Sequence, residues 1–200
     1  DLTYGTNNEH SEHNSYQQRI YKASSNVITT YRVTMIYLRY AEALNRAGYP
    51  QSAFAILKYG ICDEILKNRV DAAELEAAGD LVTFDPELFR FDGKYFGVHS
   101  LGSGDSHANQ YYTLPQPATE LASRQDTVNY QIPLVEDLII TEMALEGSFE
   151  GHRFNDLMRV ALRRNNPAYL ADPISRRNGE ADTQLRQKLM NTKNWYLPLQ

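Results

Sequence analysis

The chain has 200 residues, 42% of them hydrophobic, with 25 acidic and 20 basic side chains and a formal net charge of −5. That length suffices for one ordinary domain with a real core. The acidic balance argues against a nucleic-acid partner, because phosphate binding needs a clustered surplus of Lys and Arg. The single cysteine, Cys62, excludes an intrachain disulfide and a thiolate metal site.

Residues 1 to about 25 are polar, rich in Asn, Gln, Ser and Tyr, and without period, so they are read as irregular. The opening DLTYGTNNEH has no initiator Met, basic leader or apolar core, which points to a piece of a longer protein. Val27 to Val33 is β-branched and aromatic and is expected to be extended. From Thr34 the period becomes helical, with Ile36, Tyr37, Tyr40, Ala41 and Leu44 in a stripe closed by Gly48 and Pro50. A second helix follows with Ala53, Phe54, Leu57, Ile61 and Ile65 on its apolar side, and Cys62 sits inside this run as a small buried thiol. The short connection makes the two helices antiparallel neighbours.

This pair, residues 34–69, matches the tetratricopeptide pattern in Tyr37-x2-Tyr40-Ala41-x2-Leu44, in Ala53-x3-Leu57 and in the turn at Gly48. The closing proline is replaced by Ile65, and no second copy is present. The apolar side of Phe54, Ile56 and Leu57 is wide for one partner helix. It is therefore expected to need a stacked neighbour: upstream repeats, the chain's own loop or later helices, or a second copy.

Asp71 to Gly79 reads as a short helix capped by Asp71 and ended by Gly79. Residues 80–130 lose all period and carry glycines, Pro115, Pro117 and many aromatics, among them Phe84, Tyr95, Phe96, Tyr111 and Tyr112. A loop of this length has a job or docks on the rest of the protein. Flat aromatic faces stack on sugar rings or peptide side chains, and they equally anchor loops by burying area. Tyr95, Phe96, Tyr111 and Tyr112 are the candidate ligand contacts.

The strongest helical signal covers residues 133–164. Pro133 stands at a first-turn position, Glu136 and Asp137 complement the helix N-terminus, and Val135, Leu138, Ile139 and Met143 form the stripe. Gly147 and Gly151 divide it into two helices, and it stops at Asn165-Asn166-Pro167. A last short helix runs from Asp182 through Leu185 and Leu189, before a Pro-interrupted end. No apolar stretch approaches the roughly 20 residues that span a bilayer.

Sites of chemistry are sparse. Glu142, Glu146 and Glu150 lie four apart, on one helix face, with His152 near. Metal sites on bundled helices use Glu-x-x-His, but position 153 is Arg, so an ion-pair network with Arg153 and Arg159 is the better reading. Arg153 is expected to pair with Glu146, Glu150 or Asp156. His10 and His13 lack a third ligand. Ser103, with His99, Asp105 and His107 nearby, lacks both the G-x-S-x-G spacing and a preceding strand, so no catalytic residue is assigned.

Two segments resemble the SusD/RagB family. Ile36 to Gly48 (IYLRYAEALNRAG) is similar to its repeat-like helix. Val135 to Arg159 resembles its C-terminal signature, with Phe149, Glu150, Gly151, His152, Arg153, Phe154, Asp156, Leu157 and Arg159 matching position by position. Leu197-Pro198 is also similar to the family's terminus, while Asn155 and the Gly147-Ser148 step depart from its usual pattern. The resemblance implies an all-α, SusD-like fold of tetratricopeptide-like helix pairs with long irregular loops, residues 1–200 being the C-terminal portion of a larger protein. It implies a non-catalytic protein of the outer-membrane cell surface, without cofactor or metal. Such a protein binds oligosaccharide or peptide for a SusC-like TonB-dependent transporter and touches the membrane only through a lipid anchor absent from this chain. In the signature, Glu150, Gly151, His152, Arg153 and Asp156 are structural. The alternative from the residues alone is a tetratricopeptide-type scaffold that binds only proteins.

Overall fold

A computed structural model of the chain describes residues 2–4, 18–20, 32–88 and 112–196. The fold is all-α: these residues contain eight α-helices, two 3-10 turns and one minimal strand pair. The chain divides into two compact units, residues 1–142 and 143–200.

In the first unit, β1 (Leu2–Tyr4) pairs antiparallel with β2 (Gln18–Ile20), Leu2 opposite Ile20. This corrects the expectation that residues 1–25 are wholly irregular. Three-residue strands are too short for an alternating pattern to register. The extended segment expected over Val27–Val33 lies outside the described residues up to position 31. Arg32 is extended, and Val33 already begins a helix.

Helix α1 (Val33–Arg46) buries Met35, Leu38, Ala41, Glu42, Leu44 and Asn45. Ile36, expected on the apolar stripe, is 52% exposed. The true face is turned toward Met35 and Leu38, and its polar members Glu42 and Asn45 hid it from an apolar count. Helix α2 (Pro50–Tyr59) carries Pro50 in its first turn, where a missing N–H costs nothing. Ala41 and Ala53 are fully buried where these two helices pack together, the close approach that small residues permit.

The second helix of the expected pair does not run through residue 65. Gly60 adopts φ 89 and ψ −174 and ends α2, and α3 (Asp63–Arg69) starts afresh. Cys62 is buried at the N-cap of α3 and not inside a helical run. Every residue from Ser52 to Leu57 is buried, with α1, α3 and α4 (Ala72–Ala78) against α2. The face of Phe54, Ile56 and Leu57 is thus covered within this chain. Asp71 caps α4 by accepting from the Ala73 amide at 3.0 Å. Gly79, at φ 53, turns the chain into a 3-10 segment, Gly79–Val82.

Helix α5 (Arg124–Glu146) starts nine residues before Pro133, so residues 124–130 are helical and not part of an irregular stretch. Ser123 supplies the start: its Oγ accepts from the Asp126 amide at 3.2 Å and donates to Asp126 Oδ2 at 2.7 Å. Pro133 therefore lies inside the helix, and Glu136 and Asp137 are mid-helix residues instead of N-terminal ones. Val128, Gln131, Val135, Ile139 and Glu142 make its buried line. Two polar members broke that line in the sequence, and Pro133 then looked like a beginning.

The second unit holds α6 (Arg153–Arg163), α7 (Ala168–Ser175) and α8 (Thr183–Leu189), packed in chain order. Its buried apolar residues include Leu157, Val160, Ala161, Leu170, Ala171, Leu189 and Trp195. Asn165 takes a left-handed φ of 48 and ends α6. Helix α7 is not foreseen from sequence, because Pro173 interrupts its short pattern. Asp182 caps α8, accepting from the Leu185 amide at 2.9 Å. The chain then makes a 3-10 turn, Thr192–Trp195, whose Trp195 Nε1 donates to the Leu189 carbonyl at 2.6 Å.

Candidate functional site

The aromatic segment was the first place to look for a ligand contact, and both of its described ends are docked on helices. At the N-terminal end, Phe84 meets Tyr40 of α1 edge to face, with centroids 6.0 Å apart. The Tyr40 hydroxyl donates to the Leu81 carbonyl, and burial raises its pKa above the ordinary tyrosine value. At the other end Tyr112 is buried, its hydroxyl donating to Glu142 of α5 and its carbonyl accepting from Lys58 Nζ of α2 at 2.7 Å. The Tyr112 ring is therefore spent on anchoring the segment and offers no open face for stacking. Tyr95, Phe96 and Tyr111 lie outside the described residues, as do His10, His13, His99, Ser103, Asp105 and His107.

The first unit also holds a set of buried carboxylates that no apolar pattern reveals. Glu142 takes the Tyr112 hydroxyl. Glu42 accepts from Arg46, whose Nε also lies 3.6 Å from Glu136 Oε1 and so links α1 to α5. Glu74 of α4 accepts from the Ser52 amide at 2.7 Å, the Ser52 hydroxyl at 2.9 Å and the Gln51 amide at 3.4 Å. It thereby caps α2, whose own N-cap residue Tyr49 provides no side-chain bond. Burial pushes the Glu74 carboxyl above the ordinary range, and the Ser52 and Gln51 bonds and nearby Arg124 only partly oppose it.

The signature residues lie in the second unit. Gly147, Ser148, Phe149, Glu150 and Gly151 form the turn between α5 and α6. A β-carbon at Gly147 would stand 2.8 Å from the Met143 carbonyl oxygen, so any side chain there would force the backbone of this turn to shift. Of the departures from the family pattern, Gly147 is thus the one that the crowding of this turn favours. Phe149 and Gly151 have left-handed φ of 66 and 79, and Phe149 is 72% exposed. Glu150 falls in the turn, beyond the end of α5, so Glu142, Glu146 and Glu150 do not share one helix face. His152 is the N-cap residue of α6.

Asp156 is buried and pairs with Arg159 Nη2 at 3.3 Å. Arg153 is half-buried. Desolvation lowers its pKa, against the raising influence of Tyr169 and Asp156 close by. Among the described residues, no group of three or more His, Cys, Asp and Glu is placed to hold a metal ion. No helix among them is long and apolar enough to cross a membrane.

A model of the SusD family matches residues 3–200. The chain belongs to the SusD family. No curated protein and no solved structure matches it. SusD family membership implies nutrient or glycan binding at the cell surface, in a family of non-catalytic binding proteins associated with SusC-like transporters.

Proposed function

We propose that this SusD family chain is the C-terminal portion of a surface nutrient-binding protein. It binds oligosaccharides, or peptides, without cleaving them and passes them to a SusC-like TonB-dependent transporter of the bacterial outer membrane. The full-length protein is held at the cell surface by a lipid anchor. The observation that carries this reading is the family match over residues 3–200. The ligand contacts belong to the aromatic segment between its two docked ends, with Tyr95, Phe96 and Tyr111 as the stacking residues.

The test is binding of the full-length protein to broad panels of glycans and peptides. Reproducible binding, weakened by Tyr95→Ala, Phe96→Ala or Tyr111→Ala, supports the reading. No binding across the panels, with transporter co-purification intact, makes the chain a protein-binding scaffold. The signature residues Glu150, Gly151, His152, Arg153 and Asp156 have a structural role in this proposal. Arg153→Ala should lower the melting temperature and leave ligand specificity unchanged, and a near-silent Arg153→Ala in a thermal melt would remove that role.

A further inference from the structure

A buried amide is oriented by what it donates to. Asn45 is fully buried, and its Nδ2 donates to the Ile132 carbonyl at 2.9 Å. Gln131, 1% exposed, donates from Nε2 to the Pro115 carbonyl at 3.0 Å. Turning either amide over would set two oxygens against each other, so these bonds fix which end is oxygen. Neither Asn45 Oδ1 nor Gln131 Oε1 has a hydrogen-bond partner among the described residues. Buried acceptors in native folds are almost always paired, so both oxygens require a donor.

They require it at one particular turn of α5. Gln131 and Ile132 immediately precede Pro133, which has no N–H to give to the carbonyl four residues back. The Asn129 carbonyl therefore lacks its helical donor, and interruptions of a helical ladder are places where water inserts. Water carries two donors and is the usual partner of polar groups that the protein itself leaves unpaired. We infer that the Pro133 turn of α5 is a binding site for internal water, with one water donating to Asn45 Oδ1 and another to Gln131 Oε1.

A cation is the other ligand that amide oxygens accept. The neighbouring charge argues against one: Arg46, next to Asn45, already engages the buried Glu42 and Glu136. The site also ties α5 to the stretch that leads into it, since Gln131 holds the Pro115 carbonyl between Tyr112 and α5.

A high-resolution crystal structure of the whole chain tests this directly. The expected result is ordered water within roughly 2.7–3.2 Å of each oxygen. In Asn45→Leu the water at position 45 should vanish while that at Gln131 stays, and Gln131→Met should do the converse. A protein donor seated on either oxygen, a coordinated cation, or apolar atoms closed around both without density overturns the proposal. If neither variant folds, the wild-type structure alone decides.

Discussion

In the first unit the buried carboxylates Glu74, Glu136 and Glu142 take partners from other elements, with Glu42 paired inside its own helix, whereas in the second the buried Asp156 pairs with Arg159 one turn on. Glu74 takes Ser52 across 22 residues, and Tyr112 reaches Glu142 across 30. Asp156 pairs with Arg159 at i,i+3, and the exposed caps Asp182 and Asn191 likewise accept from amides three and two residues on. A distant partner brings two elements together and becomes part of the tertiary fold. A local one stabilises a single helix or turn, and its loss leaves the packing in place.

Removing a distant partner should therefore cost the most. Glu74→Ala leaves the buried Ser52 amide and hydroxyl without their acceptor and should destabilise by about 3 kcal/mol in urea unfolding. A loss below about 1 kcal/mol would mean that water reaches the α2 terminus and that the contrast between the units is false. Tyr112→Phe removes one bond to a carboxylate and should cost about 2 kcal/mol, with protease cleavage in the aromatic segment rising as its anchor loosens. Unchanged cleavage would show that the Lys58 contact alone is sufficient.

The same carboxylate has a pH signature. Because the folded-state pKa of Glu74 is raised, the native chain holds that proton more tightly than the unfolded chain does. Its contribution is fully present below the ordinary glutamate value, about 4.3. It is lost as pH rises through the folded-state pKa. Glu74→Gln cannot titrate, so the difference in stability between wild type and variant should change across that window and be constant on either side. Parallel profiles from pH 3 to pH 8 would place the carboxyl in water. The smallest effect belongs to the second unit. Arg159→Ala removes a local, partly exposed partner and should cost no more than about 1 kcal/mol by thermal melting. A larger loss would mean that Asp156 depends on Arg159 as Ser52 depends on Glu74.

The same division between local and distant explains what could be read from sequence. The caps at Asp71 and Asp182, the turn between Gly147 and Gly151 and the stop at Asn165 are decided by residues within a few positions, and each is visible in the chain. The buried face of α1 was misplaced, because Glu42 and Asn45 are polar, and the bond that holds Asn45 inside comes from Ile132 of α5. The start of α5 was missed for a related reason. Ser123 and Asp126 form a sound capping signal, but Gln131 broke the apolar line and Pro133 supplied a false beginning. Of the candidate site, the aromatic segment was legible as something that docks. That Tyr112 anchors it depends on Glu142 and Lys58, which no spacing connects to it.

The cap on α2 also bears on how this part of the molecule opens. Tyr49 gives α2 no side-chain cap, and the carboxylate that completes its first turn belongs to α4. The amide of Ser52 is thus shielded from solvent exchange only while α4 is in place. The amide hydrogens of the first turn of α2 and those of α4 are therefore expected to exchange together in a hydrogen-exchange measurement, although α3 separates the two helices in the chain.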